Sequence, residues 1–142
     1  MKTFYACLLS AVFFVALAPT VHGADAAVAS QPSTERVISH ADLKKALAQP
    51  GGAVILDLRR NADYDKDSVT MPASRRFDPD KIAEWSGALP KDKEILLFCA
   101  HGRSISNASV DYLTKNGYKA RLVAGGFDTW KDAGGATVPK SP

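Results

Sequence analysis

The chain has 142 residues, with 18 Lys or Arg against 15 Asp or Glu and a formal net charge of +3. The two signs are interspersed and no basic stripe carries interleaved aromatics, which argues against a nucleic-acid-binding protein. With no internal repeat or low-complexity tract, the length suits one domain with a modest core behind an N-terminal leader.

Residues Met1 to Gly23 read as a secretory signal peptide. Lys2 supplies the positive start, Phe4 to Leu17 are almost wholly apolar, Pro19 breaks the segment, and Val21-His22-Gly23 has the form of a cleavage site. Cleavage is expected after Gly23, with Ala26 as the alternative, and loss of Lys2 takes the net charge from +3 to +2. The apolar run is shorter than the ~20 residues that span a bilayer, so it is read as cleaved rather than as an anchor. The mature protein is expected to be periplasmic or secreted, with no stable membrane association. Cys7 leaves with the leader, so Cys99 becomes a lone thiol in an oxidising compartment, with no partner for an intrachain disulfide.

Residues 24–35, rich in Ala, Ser and Pro, read as a flexible lead-in to one domain over 36–138, with 139–142 as a tail. Val37-Ile38 predicts a short strand. Ser39 and Asp42 form a capping box for a helix with the stripe Leu43, Ala46 and Leu47, closed by the turn Pro50-Gly51-Gly52. Val54-Ile55-Leu56 predicts a continuous apolar strand ending at Asp57. Asn61 is the expected cap of a short helix through Tyr64, followed by a weak strand near Val69. Asp78-Pro79 predicts the start of a helix through Trp85.

Beyond the turn at Pro90-Lys91-Asp92, Glu94 to Phe98 is the best strand signal in the chain. A helix follows from Ser104 to Asn116, its stripe set by Ile105, Ala108, Tyr112 and Leu113, with Gly117 at C′. Leu122-Val123 predicts a last strand, Gly125-Gly126 a tight turn, and Phe127 to Ala133 a closing helix that places Phe127 and Trp130 in the core. Alternating apolar strands and helices predict an α/β fold, a mainly parallel sheet with helices on both faces. In such sheets ligands bind beyond the carboxyl ends of the strands, where Cys99 falls.

Cys99 opens the stretch Cys99-Ala100-His101-Gly102-Arg103-Ser104, between the apolar run Ile95-Leu96-Leu97-Phe98 and a helix N-terminus. Converging backbone N–H groups and a positive helix end favour thiolate over thiol there. The polar residues that follow argue against burial in an apolar core, and so for a reactive rather than an inert cysteine. Cys99-x-His101 lacks the further ligands that zinc requires, so no metal and no cofactor are expected.

This chain resembles the single-domain rhodaneses, thiosulfate-type sulfurtransferases, over most of residues 36–138. The resemblance rests on the apolar strand leading into the Cys99 to Ser104 loop and on the spacing onward to Gly125-Gly126-Phe127-Asp128-Thr129-Trp130, similar to the family's Gly-Gly-x-x-x-Trp. It rests also on Asp57-Leu58-Arg59, similar to the Asp-x-Arg that ends the family's second strand, with Asp63-Tyr64 beyond it. One segment departs. Where the family reads Gly-His-Ile and then Gly-Ala, this chain has Asp67-Ser68-Val69 and Met71-Pro72, so no role of that histidine carries over. His40 lies elsewhere and is read as a solvent-facing helix residue.

The resemblance implies a rhodanese-like fold and a sulfurtransferase in which the Cys99 thiolate takes the outer sulfur of a small anionic donor such as thiosulfate. A thiol or cyanide acceptor then removes that sulfur from the Cys99 persulfide. The amides of residues 100–104 (Ala100, His101, Gly102, Arg103 and Ser104) are expected to hold the charged sulfur. Gly102 allows the turn, Arg103 attracts the anionic donor, and Ser104 caps the helix and offers its hydroxyl. His101 either donates a hydrogen bond or sets the charge at the entrance, or else faces solvent. Asp57 and Arg59 are read as structural support through an ion pair.

Two alternatives stand beside this reading. A phosphatase or arsenate reductase of the Cys-x5-Arg kind needs a loop one residue longer that ends in arginine, but position 105 is Ile105. A persulfide carrier without turnover, or a partner-binding module, uses the same fold.

Overall fold

Five short strands run in one direction in a computed structural model that describes residues 36–141. The expected leader, the lead-in and Cys7 lie outside the described residues. In chain order the elements are β1 (Val37–Ile38), α1 (His40–Leu47), β2 (Ala53–Asp57), α2 (Asn61–Lys66), β3 (Val69–Thr70) and β4 (Ser74–Arg76). They continue with α3 (Ile82–Trp85), β5 (Glu94–Phe98), α4 (Ser104–Lys115), β6 (Lys119–Val123), α5 (Gly126–Asp132) and β7 (Val138–Pro139). The parallel sheet has the order β1-β6-β5-β2-β4, which puts β5 at its centre. Among the described residues no helix is long and apolar enough to cross a membrane.

A central parallel strand is buried on both faces, and β5 shows it. Ile95 and Leu97 join Leu56, Val110, Leu113 and Leu122 in a core under α4, with Ile82 and Trp85 packed at its margin. Leu96 and Phe98 point the other way, into a core with Ile55, Leu43, Phe127 and Trp130 under α1 and α5. The expected α/β sheet with helices on both faces is therefore the observed fold.

Several local expectations are corrected. The buried stripe of α4 is Ser106, Ser109, Val110 and Leu113, whereas Ile105 and Tyr112 are half-buried and Ala108 is exposed. Small serines fit against the sheet, so the inward stripe is rotated from the one apolarity predicts. Asn61 is the first helical residue of α2 rather than its cap, because its side-chain oxygen accepts from Arg76 at 2.6 Å. The segment from Asp78 opens as a 3₁₀ turn, Pro79–Lys81, before α3. His40 is half-buried, with Nε2 2.8 Å from the Ala124 carbonyl and its ring edge-on to Trp130. At α1 the Asp42 amide donates to Ser39 Oγ at 3.1 Å, and that hydroxyl donates to the Asp42 carboxylate at 2.8 Å.

β3 does not join the main sheet. It pairs antiparallel with β7, which carries ordered pairing past residue 138 to Pro139, and the Lys140 amide donates to the Ser68 carbonyl at 3.0 Å.

Candidate active site

The carboxyl end of β5 delivers Cys99 to the middle of the sheet's upper rim, and the chain crosses residues 100–103 before α4 begins at Ser104. Cys99 is only 4% exposed and Ala100 only 6%, while His101, Arg103 and Ser104 are exposed. The polar neighbours thus do not keep Cys99 out of the interior: they stand outside a loop that folds over the thiol.

Backbone packing against α5 sets the loop's shape. Gly102 has φ +62°, and a Cβ there would lie 2.7 Å from the Gly126 nitrogen. The converse is as tight, since a Cβ on Gly126 (φ +71°) would meet the Gly102 nitrogen at 2.4 Å and the Cys99 oxygen at 2.5 Å. This contact explains why glycine is needed on both sides. The first amides of α5 then clamp the loop carbonyls, Phe127 N–H to Cys99 O at 2.9 Å and Asp128 N–H to Ala100 O at 3.0 Å. With its carbonyls held from one side, the loop leaves the amides of residues 100–104 without a protein acceptor among the described residues. Such unsatisfied amides at a helix N-terminus are suited to an anion.

The hydroxyl on the sulfur comes from an unexpected position. Ser106, fully buried on α4, donates to Cys99 Sγ at 2.7 Å. Ser104, expected both to cap α4 and to reach the sulfur, is the first helical residue. The cap position belongs to Arg103, which makes no side-chain capping bond. The Arg103 carbonyl accepts from the Asn107 amide and side chain at 3.1 and 3.0 Å. Its guanidinium makes no hydrogen bond or ion pair among the described residues. His101 Nε2 lies 3.4 Å from the Asp128 carboxylate, with both side chains exposed.

Asp57 and Arg59 meet below this rim, 1% and 0% exposed. The carboxylate accepts from Arg59 Nε at 3.0 Å, Arg59 Nη2 at 2.5 Å, the Arg59 amide at 3.1 Å and Thr70 Oγ1 at 3.0 Å. The guanidinium lies over the Phe127 ring at 4.2 Å. Its remaining donors reach Asp67 at 3.1 Å and the Val69 carbonyl at 3.3 Å. The pair therefore joins β2, β3 and α5. Next to it, the Leu58 amide bonds the Phe98 carbonyl at 2.8 Å, one residue before Cys99.

The segment that departs from the family pattern is part of this framework. Asp67 accepts from Arg59 and also from Lys131 Nζ at 2.6 Å, and this bond holds the Lys131 ammonium above the usual lysine range. Lys131 lies 3.6 Å from Asp128, which links Asp67 by charge to the partner of His101. A cleft of about 390 Å³ opens beside Asp57, Tyr64, Thr70 and Arg76, but no residue of the Cys99 loop lines it.

Sequence reasoning missed Ser106, Asp128, Thr70 and the Asp67–Lys131 pair. Ser106 had a signal, since Ser106, Val110 and Leu113 keep the i, i+4, i+7 spacing of an inward face. The other residues meet only through the fold.

A rhodanese-like domain model matches residues 39–133. The thiosulfate sulfurtransferase GlpE of Coxiella burnetii is 30% identical over 95 residues, which cover 66% of this chain and 85% of that protein. GlpE of Pseudomonas savastanoi pv. phaseolicola is 32% identical over 89 residues, 62% of this chain and 77% of that one. Among solved structures, a rhodanese-related protein from Thermoplasma volcanium superposes with a TM-score of 0.64 at 27% identity, covering 74% of this chain and 99% of that one. A rhodanese-like domain protein from Staphylococcus aureus gives 0.62 at 27% identity, covering 75% and 99%. With residues 39–133 inside the family model and Cys99 buried under a loop whose amides lack a protein acceptor among the described residues, the chain belongs to the rhodanese-like domain family, related in sequence to sulfurtransferases.

Proposed function

We propose that the protein is an exported sulfurtransferase that carries sulfane sulfur on Cys99. The observation that best supports this is the run of loop amides at residues 100–104 with no protein acceptor among the described residues, directly after a thiol that already accepts a hydrogen bond. In the first half-reaction the Cys99 thiolate attacks the outer sulfur of thiosulfate or a similar anionic donor. The S–S bond of the donor breaks, its electron pair leaves with sulfite, and Cys99 holds an anionic outer sulfur. The loop amides stabilise that charge without reorganising, as an oxyanion hole does in acyl transfer. Arg103, without a partner among the described residues, supplies positive charge for the incoming dianion. His101, paired with Asp128, tunes the charge at the entrance. In the second half-reaction a thiol or cyanide takes the sulfur and frees Cys99. The reaction needs no cofactor.

Intact-protein mass spectrometry after separate incubation with thiosulfate and 3-mercaptopyruvate tests the reading. Cys99 should gain one sulfur atom and lose it to cyanide or a small thiol. Cys99→Ser, nearly isosteric, should keep the fold and take up no sulfur; substantial transfer by this variant would refute the mechanism. Sulfur uptake without turnover on any acceptor would mark a carrier instead of an enzyme. Export is proposed from the apolar N-terminus, and N-terminal sequencing of protein from its native compartment should find a start near Ala24. Retention of Met1 in the cytoplasm would sink the localisation.

A further inference from the structure

On the sulfurtransferase reading, we propose that Ser106 is a catalytic residue of the sulfur-release step, stabilising Cys99 Sγ as a leaving thiolate. Among the described residues its hydroxyl is the one donor bonded to Sγ, at 2.7 Å. Ser106 is fully buried and Cys99 is 4% exposed, so little solvent competes for this bond. A serine inside a helix commonly bonds a carbonyl three or four residues back. Ser106 does not; its side chain is committed to the sulfur.

The division of charge over the cycle gives this bond its function. Neutral sulfur is a weak acceptor, whereas a thiolate receives a charge-assisted bond about twice as strong as a neutral one. In the persulfide the negative charge sits on the outer sulfur, and the bridging Sγ is neutral. When an acceptor thiolate attacks, a bond forms between its sulfur and the outer sulfur, and the bond from the outer sulfur to Sγ breaks. The electron pair goes to Sγ, so Cys99–S–S⁻ and R–S⁻ become Cys99–S⁻ and R–S–S⁻. Charge balances and no proton moves. The bond from Ser106 therefore strengthens along the release coordinate, which is the condition for accelerating a step. During loading the same bond is already strong in the starting thiolate and weakens as sulfur is gained, so Ser106 does not speed that step. The loop amides serve the outer sulfur and Ser106 serves the inner one.

Ser106→Ala removes one oxygen and improves helix propensity, so the variant should fold. Ser109→Ala is the control, another buried serine on α4 that makes no bond to Cys99. Loading by thiosulfate and release to cyanide are followed separately by rapid mixing at about pH 9.5, above the ordinary thiol range, so that ionisation limits neither step. Release should slow about ten- to a hundredfold in Ser106→Ala, with loading unchanged or faster, and Ser109→Ala should match wild type in both. A wild type that takes up no sulfur would overturn the sulfurtransferase reading and this assignment with it. A wild type that turns over beside a Ser106→Ala variant with unchanged release would overturn the assignment alone. So would equal losses in both steps, or the same loss in Ser109→Ala, since either marks a purely structural serine.

Discussion

Gly126→Ala should damage both stability and sulfur uptake, for a reason that can be isolated. The added methyl would stand 2.4 Å from the Gly102 nitrogen, 2.5 Å from the Cys99 oxygen and 2.7 Å from the Ala100 oxygen. All three are backbone atoms, so no flexible side chain can yield. A left-handed conformation costs a non-glycine residue about 1–2 kcal/mol, and forcing the loop off α5 adds about 1–3 kcal/mol of overpacking. The total of about 2–5 kcal/mol is a large part of the 5–15 kcal/mol typical of a domain. Gly134 supplies the control: its φ is +68°, but a Cβ there meets nothing within 4 Å. Gly134→Ala should therefore show the conformational cost alone, about 1–2 kcal/mol. Urea unfolding measures both variants, and mass spectrometry of the thiosulfate-treated proteins reports the loop. Equal destabilisation by the two, with wild-type persulfide formation in Gly126→Ala, would refute the claim that this glycine contact shapes the loop.

Arg103→Ala should weaken loading from thiosulfate about ten- to a hundredfold in kcat/KM, with a smaller loss for a less charged donor and partial mimicry by salt in the wild type. Equal losses in loading and release would instead make Arg103 a support of the loop. Asp57→Ala leaves the Arg59 guanidinium buried without its main partner and should cost about 3–5 kcal/mol, whereas the apolar double variant Asp57→Leu/Arg59→Met should cost less; chemical denaturation of the two checks this order. Lys131, raised by Asp67, contributes stability that is fully present below the ordinary lysine value of 10.5 and is lost as pH rises through the raised one. The stability difference between wild type and Lys131→Met should accordingly hold steady across neutral pH and shrink above 10.5 in alkaline unfolding measurements.

The legibility of this fold followed burial. β2 and β5 are covered on both faces, so their sequences are continuous apolar runs that name them as parallel strands. β4 is Ser74-Arg75-Arg76, an edge strand with exposed arginines, and its only marker is its pairing with β2. The Cys99 loop was legible because its neighbours in sequence also form its walls. Its burial was not, because the closing contact comes from Gly125-Gly126, more than twenty residues on. By residue type Ser106 carries little signal, because serine is mostly an exposed residue, whereas this one is fully buried against the sheet. Asp67 was visible only as a departure, and its meaning emerged when the fold placed Arg59 and Lys131 around it.

The ribbon of β3 and β7 bears on where this domain ends. The family model stops at residue 133, yet the partner of Val69-Thr70 is Val138-Pro139, and Lys140 bonds the Ser68 carbonyl through its amide and the Tyr64 carbonyl through its ammonium at 2.7 Å. The segment that breaks the family pattern and the segment that lies beyond the family boundary thus satisfy each other's backbone. They form one structural unit, in which a change on either side removes the backbone partners of the other. A chain trimmed to the limits of the family would leave Ser68 to Thr70 without their ladder, directly beside the aspartate that steadies Arg59.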